Sequence, residues 1–228
     1  ESEIPEGFKS AEQKAEINFS ERIISGPKVQ SAEFIKETFL DKGLSVSSLN
    51  NYLDCPWKYF YVSLLNIPMA QATYLLYGTA VHESPRQFFD KIREGENPDK
   101  KYLVDKFKEA MVRMPVKEIE LSDLLKRGEE SLGGYYEFYK GKFHENSLTE
   151  YPISRVYLDE IPLTGKLDKI EILDMSGLVN VVDYKTGKPK SRGEIEGETK
   201  NSEGNTKRQL VFYKLLLSLF GDGNKFRF

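Results

Sequence analysis

The sequence predicts an α+β fold (mixed α/β), with a small central mixed sheet flanked by helices and a helical N-terminal subdomain. Three observations predict it. Apolar residues recur at helical spacing from about residue 44 to residue 143. Three β-type runs follow between Ile153 and Val182, separated by turn signals. An amphipathic stretch, Arg208–Phe220, then ends at Gly221 and Gly223.

Residues 1–43 are polar and weakly patterned, apart from a short helical stretch around Ser31–Leu40. They read as a linker or arm from a preceding domain. The chain opens Glu1-Ser2-Glu3 without a methionine, as if excised from a longer polypeptide. Gly43 stops the first helix, and Ser45 or Ser47 caps the next. Leu49, Tyr52, Leu53, Trp57, Tyr59, Phe60, Tyr61 and Leu64 then form a dense aromatic–aliphatic stretch. Pro56 starts a second short helix within it, since proline is tolerated in a first turn. Trp57, Tyr59 and Tyr61 are assigned to core packing of a helical subdomain, with contact to DNA as the alternative.

Thr79 is the expected N-cap of a helix over Ala80–Arg93. Pro85 interrupts that helix, which either starts near Ser84 or kinks just beyond His82. Further helices are expected at about Asp99–Met111 and Glu118–Phe143, inside a helical insertion of about 96–146. The period then changes to that of strands at Ile153–Leu158, Ile161–Ile172 and Leu178–Val182. Turns near Asp159-Glu160 and Asp174–Gly177 join them into a meander. Thr186–Thr206 is a long charged loop, and Lys225–Phe228 could open a last strand.

The 228 residues suffice for one domain with decorations. The sequence shows no apolar run of transmembrane length and no signal peptide. A lone cysteine, Cys55, excludes a disulfide framework and suits an intracellular chain. A net charge of −3 gives no global basic signature, so a nucleic-acid partner must be argued from local charge.

The chemistry centres on Asp183-Tyr184-Lys185, at the end of an apolar run. A carboxylate and an ammonium two residues apart on a strand point to one face. Asp168, one hairpin earlier, can deliver a second carboxylate from the neighbouring strand. Two such acids repel unless a cation lies between them, and the lysine beside them can steady or deprotonate an attacking water. Gly78-Thr79-Ala80-Val81-His82-Glu83 adds an imidazole on a helix; Glu83 points elsewhere. Gln209 and Tyr213 sit four apart and share a helix face.

These segments, in this order, resemble the PD-(D/E)XK nuclease superfamily in its RecB-like branch, found at the C-terminus of UvrD/Rep-type helicases. The resemblance covers roughly Leu44 to Phe220 and implies a restriction-endonuclease-like core with a RecB-like nuclease domain over 44–228. It implies His82, Asp168, Asp183 and the Tyr184 backbone carbonyl as metal ligands, with Lys185, Asp183 and Asp168 as the catalytic set. Gln209 and Tyr213 correspond to a helix motif that contacts DNA and braces the site. Lys188 and Arg208, at the basic ends of the charged loop, can hold phosphates beside the scissile bond.

The implied cofactor is Mg²⁺, with Mn²⁺ as a substitute. Cys55-Pro56-Trp57 resembles the start of an iron–sulfur site, but three further cysteines are missing, so no cluster is expected. The implied activity is a Mg²⁺-dependent deoxyribonuclease, an exonuclease rather than an endonuclease, acting on single-stranded or end-bearing DNA in repair or recombination. The implied partners are DNA and a helicase motor in the same polypeptide, with no membrane, at a cytoplasmic, nucleoid-associated location. Two other readings are a catalytically silent DNA-binding scaffold and a free-standing CRISPR-associated exonuclease.

Overall fold

The computed structural model describes residues 31–200, 202, 204–220 and 226. The chain divides into two units, Glu1–Asp41 and Lys42–Phe228. Residues 1–30, most of the expected linker, lie outside the described residues. Helix α1 (Ala32–Lys42) begins where Ser31 Oγ accepts the Phe34 amide at 3.2 Å. It buries none of its side chains.

In the second unit, Gly43 adopts φ +73° beside the Pro162 carbonyl, a conformation that favours glycine. This turn delivers Leu44 to a parallel bridge with Leu163. Ser45 then caps α2 (Val46–Asp54) through a reciprocal pair. Its Oγ accepts the Ser48 amide at 3.1 Å, and Ser48 Oγ accepts the Ser45 amide at 2.9 Å. Pro56 opens α3 (Pro56–Lys58), which runs into a π-helical turn over Tyr59–Leu64. Here the packing expectation needs correction. Phe60 and Leu64 enter the interior, while Trp57 and Tyr61 stack on each other at the surface, 59% and 43% exposed. The interrupted helix presents only one narrow face inward, and it is not theirs.

Helix α4 spans Thr73–Arg93 without a break at Pro85. The expected start at Thr79 is therefore wrong by about two turns. Thr79 Oγ1 donates back to the Leu75 carbonyl at 3.0 Å, a bond made inside a helix rather than at its cap. Pro85 deprives the Val81 carbonyl of its usual partner, yet the ring is fully buried and the helix is held on both sides. Ser84 Oγ donates to the Leu103 carbonyl at 2.5 Å, and Phe88 and Phe89 are buried beyond it.

Helices α5 (Lys100–Val112, capped by Asp99) and α6 (Glu118–Tyr139) complete this layer. Their core joins Tyr77, Val81, Phe88, Phe89, Leu103, Phe107, Met111 and Leu132. Gly128 permits the α5–α6 approach, since a Cβ there would lie 2.0 Å from Phe107 Cζ.

Strands β1 (Ser147–Leu158), β2 (Ile161–Ile172) and β3 (Val179–Val182) form an antiparallel meander in that order. The turns fall at the expected places. A short helix, α7 (Arg192–Glu196), interrupts the segment expected to be a loop, with Ser191 and Glu194 as its capping box. Helix α8 (Asn205–Leu219) packs on the sheet and buries Phe212, Tyr213, Leu216 and Leu217 among Ile153, Leu163, Leu167 and Ile170. Each fully buried residue of this size stabilises by about 1.5–3 kcal/mol relative to exposure. The expected strand at Lys225–Phe228 lies outside the described residues except for Phe226, which is buried in this second core. Among the described residues no helix is long and apolar enough to cross a membrane.

Candidate metal centre and active site

The two cores meet along a cleft of about 590 Å³, lined by His82 from α4, Glu150 and Lys166 from β1 and β2, and Asp168. Asp183, Tyr184, Lys185 and Gln209 complete its far side. Most of the residues singled out from sequence therefore converge.

Three groups with metal-ligating atoms converge on one point. Ligand atoms of His82, Glu150 and Asp168 all lie within 4.8 Å of one another. His82 Nδ1 is 3.4 Å from Asp168 Oδ2 and 4.0 Å from Glu150 Oε1. Burial alone would lower the imidazole pKa, but the hydrogen bond and charge of Asp168, then the charges of Glu150 and Asp183, raise it above its ordinary value. The other oxygen of Glu150 is paired with Lys166. Asp168 is further fixed by the Tyr184 amide, which donates to Oδ2 at 2.8 Å.

Glu150 is the residue that sequence reasoning missed. Thr149 pairs with Lys169 and Tyr151 with Leu167, so Glu150 stands opposite Asp168 across the ladder. Like charges facing each other in a sheet repel. Glu150 also has φ +47°, in the left-handed region that non-glycine residues enter at a cost. Strand alternation breaks at the same level. Leu148 and Tyr151 pack on the sheet–α8 core although three residues apart, as do Leu167 and Ile170. A strained residue, a broken pleat and facing carboxylates coincide at one point. The sequence expectation started this strand at Ile153, whereas β1 begins at Ser147, so Glu150 fell outside the expected strand and its place opposite Asp168 was hidden.

Asp183 lies beside this triad rather than within it. Its Oδ2 is 2.5 Å from Lys185 Nζ, so the two side chains meet as expected, but just past the end of β3 rather than on the strand itself. Lys185 Nζ also donates to Gln209 Oε1 at 2.7 Å, while Gln209 Nε2 donates to Asp183 Oδ1 at 2.9 Å and to Tyr213 Oη at 2.7 Å. One amide thus ties lysine, carboxylate and phenol together. Burial, together with the charge of Asp168, holds the Asp183 carboxyl above its ordinary range despite the pull of Lys185 and His82. Burial likewise pushes the Tyr213 hydroxyl upward.

The helical layer touches this loop as well. Tyr135 Oη lies 3.4 Å from Tyr184 Oη, and burial pushes the Tyr135 hydroxyl up to about 12. Arg127 donates to the Thr186 carbonyl at 2.8 Å while covering the Tyr77 ring. Glu83 reaches the cleft but is engaged by Arg86 and Gln87. Arg208 is bound to Asn50 and Asn205 at 2.5 and 2.6 Å, and neither it nor the exposed Lys188 lines the cleft. Cys55 is a half-buried free thiol at the junction of α2 and α3.

Chemically, the cleft offers carboxylate oxygens and one imidazole nitrogen to a divalent cation, with an ammonium beside them. No curated protein matches the chain. A family model described as the PD-(D/E)XK nuclease superfamily matches residues 43–224, so the chain belongs to that superfamily of metal-dependent nucleases.

Proposed function

We propose that this chain is the nuclease domain of a RecB-like helicase–nuclease that hydrolyses phosphodiester bonds of single-stranded or end-bearing DNA. Its mode is exonucleolytic, its setting DNA repair or recombination, and its motor domain part of the same polypeptide in the cytoplasm, at the nucleoid. The observation that carries the nuclease reading is the meeting of His82, Glu150 and Asp168 with the Asp183–Lys185 pair in one open cleft.

The donor set suits Mg²⁺, or Mn²⁺ in its place: hard carboxylate oxygens dominate, and one imidazole is compatible with either. His82, Glu150, Asp168 and Asp183 would hold the cation, with the Tyr184 carbonyl as a further donor. When bound, it supplies a water of lowered pKa and neutralises charge on the phosphoryl group. Lys185 is half-exposed at the cleft and orients the attacking water or stabilises the charge that builds on phosphate oxygens. Gln209 fixes Lys185 relative to Asp183, and Tyr213 fixes Gln209. Lys188 and Arg208 are assigned to flanking phosphates.

The test is cleavage of end-labelled single-stranded DNA with Mg²⁺ or Mn²⁺, comparing wild type with Asp183→Ala and Lys185→Ala. Cleavage should require the cation and fall by about 10²–10³-fold or more in each variant, the scale set by losing one preorganised charge stabiliser. Undiminished cleavage in both variants would place the chemistry elsewhere.

A further inference from the structure

Tyr74 stands in the first turn of α4 with 71% of its surface exposed, yet it lines the same cleft as His82, Asp168 and Lys185. Among the described residues its side chain makes no hydrogen bond or ring contact. Its exposure removes core packing as its role. Tyr74, Gly78 and His82 are spaced by four along one side of α4, so the Cα atoms of Tyr74 and His82 stand about 12 Å apart along the helix axis. Between them Gly78 offers only backbone; a Cβ there would already touch Thr186 Oγ1 at 3.5 Å. Between ring and carboxylates the cleft is thus lined by the Gly78 backbone and the Thr186 side chain. Lys166 and Lys185 line the same cleft, 61% and 54% exposed.

A solvent-facing aromatic ring in line with a carboxylate-lined metal centre that carries two exposed lysines has the physics of a single-strand binder. Bases stack on such rings whatever their sequence, and the cations follow the backbone. A base inside a duplex already has both faces covered, so this position takes an unpaired base or one at a strand end.

We infer that Tyr74 is a stacking subsite for an unpaired base of the DNA strand, a few nucleotides from the reacting phosphate. This inference rests on the nuclease reading above and selects single strands, or frayed ends, as the substrate class.

The test uses the full chain carrying Lys185→Ala, bound to single-stranded oligodeoxynucleotides with one 2-aminopurine placed at successive positions. Stacking quenches this probe. The expected result is deep quenching at one position, lost on adding Tyr74→Ala and kept with Tyr74→Phe. In the cleavage-competent chain, Tyr74→Ala should raise KM for single-stranded DNA about tenfold, and Tyr74→Phe should restore it. Quenching that is unchanged by Tyr74→Ala, or lost equally at every position, would overturn the subsite. So would a KM within twofold of wild type. A wild-type chain that cleaves nothing with any divalent cation, yet shows position-specific quenching dependent on Tyr74, would overturn the nuclease reading and leave the subsite standing.

Discussion

The two walls of the cleft are built on opposite principles. The helical wall holds His82 by apolar packing: Ala80, Val81, Phe88 and Phe89 anchor α4, and even the buried Pro85 is absorbed. The sheet wall holds its acids by polar contacts. Asp168 takes the Tyr184 amide, and Asp183 is bound by Lys185 and Gln209. Packing positions an imidazole ring through the helix that carries it, but a buried carboxylate must also be solvated by donors or cations, and those have to come from specific neighbours. The helical wall therefore tolerates a rule-breaking proline, while the sheet wall depends on individual polar atoms.

That contrast is most directly broken by substitution within the site. Asp168→Asn keeps shape but removes the charge that meets both His82 and the Tyr184 amide, and should lower cleavage by about 10³-fold. His82→Ala, which leaves the carboxylates in place, should cost about 10²-fold and be partly recovered at higher Mn²⁺. Equal losses, unaffected by metal concentration, would mean that both walls contribute in the same way. Single-turnover rates across a metal titration measure the difference.

The packing side of the comparison is sharpened by Gly128→Ala. The added methyl meets Phe107 in the α5–α6 interface, and overpacking of this kind costs about 1–3 kcal/mol. The melting temperature should drop by about 2–12 °C for a chain of this size. Because the sheet wall is held by its own contacts, cleavage well below the transition should persist. Loss of activity at low temperature without unfolding would show that the α5–α6 packing sets the site geometry directly.

The smallest expected effect concerns a buried pair behind the sheet wall. Lys169 lies 2.6 Å from Glu171 and over the Phe89 ring, with Asn180 donating to Glu171 at 2.7 Å. Burial alone would raise the Glu171 pKa, but the bonds from Lys169 and Asn180 outweigh it and hold it below the ordinary 4.5. A depressed carboxyl contributes stability that is fully present above the unfolded value and lost as pH falls through the lower folded value. Thermal melts from pH 6 downward should therefore decline below about pH 4.5, the ordinary carboxyl value, and Glu171→Gln should make that decline shallower. An unchanged slope in the variant would assign the acid sensitivity to other carboxylates.

Much of this site was legible from residue order. Asp183 and Lys185 were marked out together by their two-residue spacing after an apolar run, and they do meet, just beyond the end of β3. Gln209 and Tyr213 share a face because four residues make about one helical turn. The α2 cap at Ser45 and the turns between strands follow from equally local chemistry. Helix α4 was harder. Thr79 and Pro85 carry the local signals of a helix start, and the buried packing of Tyr77, Ala80, Val81 and Phe88 overrode both.

By itself, then, the sequence determined the order of elements, the strand carboxylates, the lysine and the helix motif behind them, all set by periodicities of two to four residues. The tertiary structure alone decided that Glu150 joins His82 and Asp168, since register and a positive φ bring it there. It alone decided that Trp57 and Tyr61 face outward and that Tyr74 looks into the cleft. Which acid meets which base across a cleft, and which aromatic is left uncovered, depend on how separate surfaces pack, and local spacing carries no record of that.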